Sequence, residues 1–118
     1  MAVSSQFKAF VCDLLSDLGE VSARPMFGGV GLYCEEVMFA LISNEVLYLK
    51  ADDKLKADLA EAGSGPFMVD FGKGDEPKPM NGYWEMPQSA MDDMDEACQW
   101  GQKALDYAQH MQRLKKKS

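Results

Sequence analysis

The sequence predicts an α+β domain, a two-layer α/β sandwich in which helices cover a largely antiparallel sheet of about five to six strands. The expected order is α-β-β-β-β-α-β-β-α. Three observations predict it. Between Arg24 and Lys50, short runs of alternating apolar residues are separated by tight polar turns. Spacers of two or three residues permit hairpins only, because a parallel crossover needs a dozen or more residues. The flanking segments instead repeat apolar residues at three- and four-residue spacing, the period of a helix. A second pair of alternating runs lies between the last two helical segments.

The first helix is predicted from a cap at Ser4 or Ser5 to Leu18, with Phe7, Phe10, Val11, Leu14, Leu15 and Leu18 in one broad stripe and Gly19 as its stop. Pro25 cannot donate a ladder hydrogen bond, so it marks a strand start, an edge or a bulge. Val30, Leu32 and Cys34 point one way, and Gly29, Gly31 and Tyr33 the other. Val37, Phe39 and Leu41 repeat that alternation, and Leu47 and Leu49 oppose Val46, Tyr48 and Lys50. Glu35-Glu36 is a less favourable hairpin turn than an Asp-Gly type would be. A second helix is expected over 51–62, with Asp52 or Asp53 at its start, Leu55 and Leu59 inward, and Gly63 at its end. Phe67, Val69 and Phe71 read as a strand, 72–79 as a polar loop, and 83–86 as a last strand paired with the first of that pair. Ser89 with Asp92 resembles a capping box for the final helix. Met94, Ala97, Cys98, Gly101, Ala104, Leu105, Ala108 and Met111 form its apolar stripe, whose small residues suggest close approach to the sheet or to another helix.

At 118 residues the chain is expected to form one domain, 1–118, with 109–118 as a basic helix end or tail. No apolar run approaches the ~20 residues that span a bilayer. The N-terminus lacks the basic and apolar regions of a signal peptide, so a cytoplasmic protein is expected, without membrane association. Cys12, Cys34 and Cys98 show no CxxC spacing, which suits reduced, buried thiols. Net charge is −7, and without Arg113, Lys115, Lys116 and Lys117 the remainder holds 8 basic against 19 acidic residues, a balance of −11. So acidic a body disfavours direct nucleic-acid binding.

Candidate chemistry is sparse. Gly28, Gly29 and Gly31 lack the lysine and hydroxyl residue of a phosphate-binding loop, and a turn or close packing beneath a helix explains them better. His110, the one histidine, has no serine or cysteine partner, and the acidic clusters fit helix starts better than a calcium loop. No catalytic residue, metal site or cofactor is expected. Met38, Met68 and Met86 are expected to fill core gaps, and Met80, Met91 and Met111 to face partly outward. Arg24, Tyr48, Lys50, Tyr83 and Glu85 are polar or amphipathic residues on strands. They form either a cross-strand ladder on an exposed face or a shallow binding surface. Arg24, Tyr48, Lys50 and Tyr83 are the candidate protein-interaction surface. The alternative is a small-molecule or peptide sensor with a pocket between sheet and long helix, lined by Trp84, Trp100 and methionines.

Arg-Pro-Met-Phe-Gly-Gly-Val-Gly-Leu-Tyr (24–33), Met-Phe-Ala-Leu-Ile (38–42) and Leu-Tyr-Leu-Lys (47–50) resemble the N-terminal domain of the TfoX/Sxy competence regulators. So do Gly63 with Pro66-Phe67, Tyr83 followed by Glu85 and Pro87, and Trp100 followed by Ala104-Leu105. The likeness runs from about residue 5 to residue 110. It implies a mixed or antiparallel sheet in a secretion-chaperone-like fold, and a bacterial regulatory protein associated with DNA uptake and transformation. Longer members are thought to act as coactivators with the cyclic-AMP receptor protein and carry a second, helical domain, which is not expected in a sequence ending at Ser118. The resemblance brings no catalytic residues. It implies a non-enzymatic module working through protein contacts in transcription regulation, with a transcription regulator as the kind of partner and a homo-oligomer left open.

Overall fold

Short spacers separate the strands of the first half of the chain, which pair as successive antiparallel neighbours. The computed structural model describes residues 4–26, 29–43, 45–69 and 78–117. Strands β1 (Val21–Met26), β2 (Gly29–Cys34), β3 (Val37–Ser43) and β4 (Val46–Lys50) pair antiparallel in sequence order. Strands β5 (Pro66–Val69) and β6 (Lys78–Glu85) form a further antiparallel pair. β6 inserts beside β4, so the sheet order is β1-β2-β3-β4-β6-β5. The α+β class and the element order agree with the sequence. Pro25 lies in one edge strand and Pro66 in the other, where a missing N–H breaks no ladder and blunts the edge against stray pairing.

Helix α1 (Ser5–Leu14) starts at Ser4, whose hydroxyl accepts from the Phe7 N–H at 3.1 Å and donates to Glu45 Oε2 at 2.9 Å. It ends four residues before the expected Leu18, and a single 3₁₀ turn, Ser16–Leu18, follows. The cause is local. The Ser16 hydroxyl donates to the Asp13 carbonyl at 2.8 Å, competing for the acceptor that the next helical N–H would use. Helix α2 (Asp53–Glu61) is shorter than 51–62 because Asp52 serves as its cap, accepting from the Leu55 N–H at 2.8 Å. Helix α3 (Met94–Lys117) is capped by Asp93, whose carboxylate accepts from the Asp95 and Glu96 N–H groups. The expected Ser89–Asp92 box does not form. Gln88–Asp92 is a 3₁₀ turn, and Ser89 donates to Glu96. β6 starts at Lys78, earlier than expected, because pairing with β5 draws Lys78 and Pro79 out of the predicted loop. Gly28, Asn44, and the predicted strand and loop residues at 70–77 lie outside the described residues.

One irregularity sets the two faces of the sheet. Leu32 pairs with Ala40, yet Tyr33 pairs with Met38, so Phe39 is an extra residue bulged from β3. Strict alternation would put Val37, Phe39 and Leu41 on one side. The bulge turns Ala40 and Ile42 to the helix side with Phe39 and sends Leu41 to the other. Leu32, Ala40 and Leu49 then stand in one row, and Val30, Ile42 and Leu47 in the next. All six are buried in one cluster with Val11, Leu14 and Leu15 of α1, Leu55 and Leu59 of α2, and Ala97, Ala104, Leu105 and Ala108 of α3. Leu41 is only 5% exposed, yet it stands outside that cluster. Small residues let α3 approach closely. A Cβ on Gly101 would come within 2.9 Å of Leu18 and 3.1 Å of Leu15, so this glycine meets the end of the first helical segment. Met94, at 37% exposure, falls off the expected stripe. Met86 fills the core as expected, whereas Met38 is half-buried and Met68 is 47% exposed on an edge strand.

Two glycine-related features predict opposite shifts in stability. A Cβ at Gly29 would lie 2.3 Å from the Ile42 carbonyl oxygen, a backbone atom that cannot swing away. Gly29 thus serves close approach of two strands, rather than packing beneath a helix. Gly29→Ala is expected to cost roughly 2–4 kcal/mol in urea denaturation. Glu35 and Glu36 both hold positive φ, 53° and 66°, as a tight two-residue hairpin requires and glutamate resists. Glu36→Gly is expected to raise stability by about 1 kcal/mol in the same assay.

Candidate functional site

The face of the sheet opposite the helices gathers residues of one character. In register, Tyr48 stands against Glu85 and Lys50 against Tyr83, so these four share that face across β4 and β6. Arg24 on β1 is in register with Gly31, and its guanidinium lies 4.5 Å from the centre of the Tyr33 ring, a cation–π contact. Tyr48 packs on Phe67 at 4.4 Å between ring centres. Leu41 sits on this face between Gly31 and Tyr48. Register thus brings all of the sequence-predicted residues Arg24, Tyr48, Lys50 and Tyr83 to one face, with Arg24 at the far edge and the other three adjacent. Sequence reasoning missed Tyr33, Leu41 and Phe67. Tyr33 was legible from its alternation with Leu32 and Cys34, but Leu41 became so only through the bulge.

Electrostatics follow from this crowding. Burial pushes the Tyr48 phenol up from its ordinary range, and the Glu85 carboxylate pushes it further. Burial also raises the Tyr83 phenol, with a smaller electrostatic contribution from Tyr33. Arg24 and Lys50 form no ion pair among the described residues. Three tyrosines, a phenylalanine, two cations and Glu85 thus share this face.

The helix side offers less. Trp84 and Trp100 are half-buried against the core. The Trp100 indole donates to Glu96 at 3.2 Å, and the Lys103 ammonium lies 5.0 Å from its ring centre. Neither tryptophan lines the recess of about 260 Å³ beside Phe7, Phe10, Leu47 and Met86, nor the groove of about 360 Å³ between α2 and α3. His110 is exposed in that groove near Asp52, Asp58 and Asp106. Among the described residues, no group of three or more histidine, cysteine, aspartate or glutamate side chains could hold a metal ion. Cys34 is buried, while Cys12 and Cys98 are half-buried rather than fully so, and burial pushes all three thiols up, away from the reactive thiolate. No described helix is long and apolar enough to cross a membrane.

Fold and site together define a helix-backed antiparallel sheet with an aromatic outer face and no evident catalytic group among the described residues. The chain belongs to the TfoX N-terminal domain family, whose model matches residues 13–108. It is 44% identical over 59 residues to the DNA transformation protein TfoX of Haemophilus influenzae, a match covering 48% of this chain and 27% of that protein. It is 36% identical over 55 residues to the DNA transformation protein TfoX1 of Aliivibrio fischeri, covering 47% and 26%. The matched stretch therefore spans about a quarter of the length of these relatives.

The crowded phenols give a pH signature. Tyr48 and Tyr83 hold their protons more tightly folded than unfolded, so their contribution to stability is complete below about pH 10, the ordinary tyrosine range, and is lost as pH rises through the raised values. In an ultraviolet titration of the folded protein, Tyr48 and Tyr83 are expected to ionise late. Tyr48→Phe and Tyr83→Phe should each remove one late step and soften the alkaline loss of stability. Simultaneous ionisation of all phenols near the ordinary value would contradict the packing of this face.

Proposed function

We propose that this chain is a non-enzymatic, cytoplasmic regulatory module related to DNA transformation, and that it acts by binding protein through the helix-free face of its sheet. One observation carries the reading. Helices cover one side of the sheet, while the other holds Arg24 on Tyr33, Tyr48 on Phe67, and Lys50 beside Tyr83. An antiparallel sheet that merely faced water would carry short polar residues there. Aromatic rings instead supply large, stiff contact area, and the two cations suit an acidic or carbonyl-rich partner surface. The names of the Haemophilus influenzae and Aliivibrio fischeri relatives support a place in DNA transformation. Transcription regulation through a protein regulator is the finer form of this reading. The acidic balance of the chain outside its C-terminal end supports a protein rather than a nucleic-acid partner.

Affinity capture of the tagged protein from its host's lysate tests the reading, with mass-spectrometric identification of what is retained. Arg24→Ala and Lys50→Ala are expected to reduce capture of the specific partner at least tenfold, in the range of a contact hot spot, with little change in melting temperature. Tyr48→Ala should do the same at some cost in stability, because it also removes the packing on Phe67. Undiminished capture by all three variants would refute the assignment of the face.

A further inference from the structure

We infer that the helix-free face binds a second copy of this chain, in a two-fold dimer with the two sheets packed face to face. The inference rests on the reading of that face as a contact surface and names its occupant. The register draws one row across five strands: Arg24, Gly31, Leu41, Tyr48, Glu85. Leu41 is its midpoint, with two strand steps on each side. At about 4.8 Å per step, Arg24 and Glu85 stand about 10 Å from Leu41 in opposite directions. By backbone register the row therefore carries a basic and an acidic residue at matched distances from its centre, the Arg24 guanidinium resting over Tyr33 and the Glu85 carboxylate accepting from Gln88.

That arrangement is what a two-fold interface demands, since every contact between residues i and j must recur as j with i. An axis between the sheets, parallel to β3 and passing over Leu41, sets each Arg24 opposite the partner's Glu85. The same axis sets each Tyr48 opposite the partner's Gly31, the one position in the row without a side chain. Aligned sheet packing at a spacing of about 10 Å accommodates this geometry. A row with like charges at its two ends would instead repel its own copy. Two charge pairs also offset, at the interface, the mutual repulsion of two chains of net charge −7. A single-stranded nucleic acid stacking on the tyrosines is the competing occupant, and the anion at Glu85 and the acidic chain oppose it.

Sedimentation equilibrium of the full chain over a hundredfold concentration range tests the inference. The wild type should reach a dimer. Arg24→Glu should weaken association about tenfold or more by placing like charges opposite one another, and Glu85→Arg should do the same. The doubly reversed variant should recover near wild-type association, because each pair is restored with its signs exchanged. Circular dichroism checks the folding of each variant. Arg24 is exposed on an edge strand, so its reversal remains informative should Glu85→Arg misfold, with Glu85→Gln as the milder partner substitution. A wild type that stays monomeric throughout overturns the inference, as does a dimer indifferent to either single reversal or a double reversal no better than the singles. A monomer that binds a labelled single-stranded oligonucleotide, and loses it on Tyr48→Ala, replaces the second copy with nucleic acid. If the chain is monomeric while capture from lysate still depends on Arg24 and Lys50, the dimer alone fails. If capture is also insensitive, the contact-surface reading fails with it.

Discussion

The structure depends on one extra residue. By bulging from β3, Phe39 lets Leu32, Ala40 and Leu49 line up beneath the helices while Leu41 turns to the opposite face. Because side chains alternate with a period of two, a slip of one position exchanges the faces of everything beyond it. Without the bulge, either Ala40 and Ile42 or Val37 and Phe39 would leave the core. The small residues of α3 complete the arrangement. Ala97, Gly101, Ala104 and Ala108 keep the helix axis close to the sheet and to the end of α1, so the core closes without help from the other face.

The second face carries no helix and is rich in aromatic residues. Three of the four tyrosines lie there, with Phe67 and a buried Leu41. Arg24 and Lys50 add cations to a chain whose charge is otherwise strongly negative. All of these residues fall within 13–108, the stretch matched by the TfoX N-terminal domain model. Association through aromatic rings and a few charges is compatible with the raised Tyr48 and Tyr83 phenols, which remain neutral hydrogen-bonding groups at physiological pH.

Much of this was legible in the residues. Alternation and short spacers gave the four-strand meander, and glycine and acidic residues marked helix ends to within a few positions. Tyr48, Lys50, Tyr83 and Glu85 were placed on strands correctly, but which strand neighboured β4 could not be read, because β6 is distant in sequence. The exact helix ends depended on competition between side chains: Ser16 for the Asp13 carbonyl, and Asp93 rather than Ser89 at the start of α3. The bulge left no periodic signal, since Phe39, Ala40, Leu41 and Ile42 are all apolar. A run of four such residues fits either face equally well, and only pairing with Leu32 and Tyr33 decides it.

The most direct test of the central claim is hydroxyl-radical footprinting of the protein, dilute and alone, against the self-associated or protein-bound state that the proposal expects. Tyr33, Tyr48 and Tyr83 report on the sheet face, and Tyr107 and Trp100 report on the helix side. The account predicts that the three sheet tyrosines become protected in that state while Tyr107 and Trp100 react as before. Protection confined to Tyr107 and Trp100 would place the contact on the helices and contradict it.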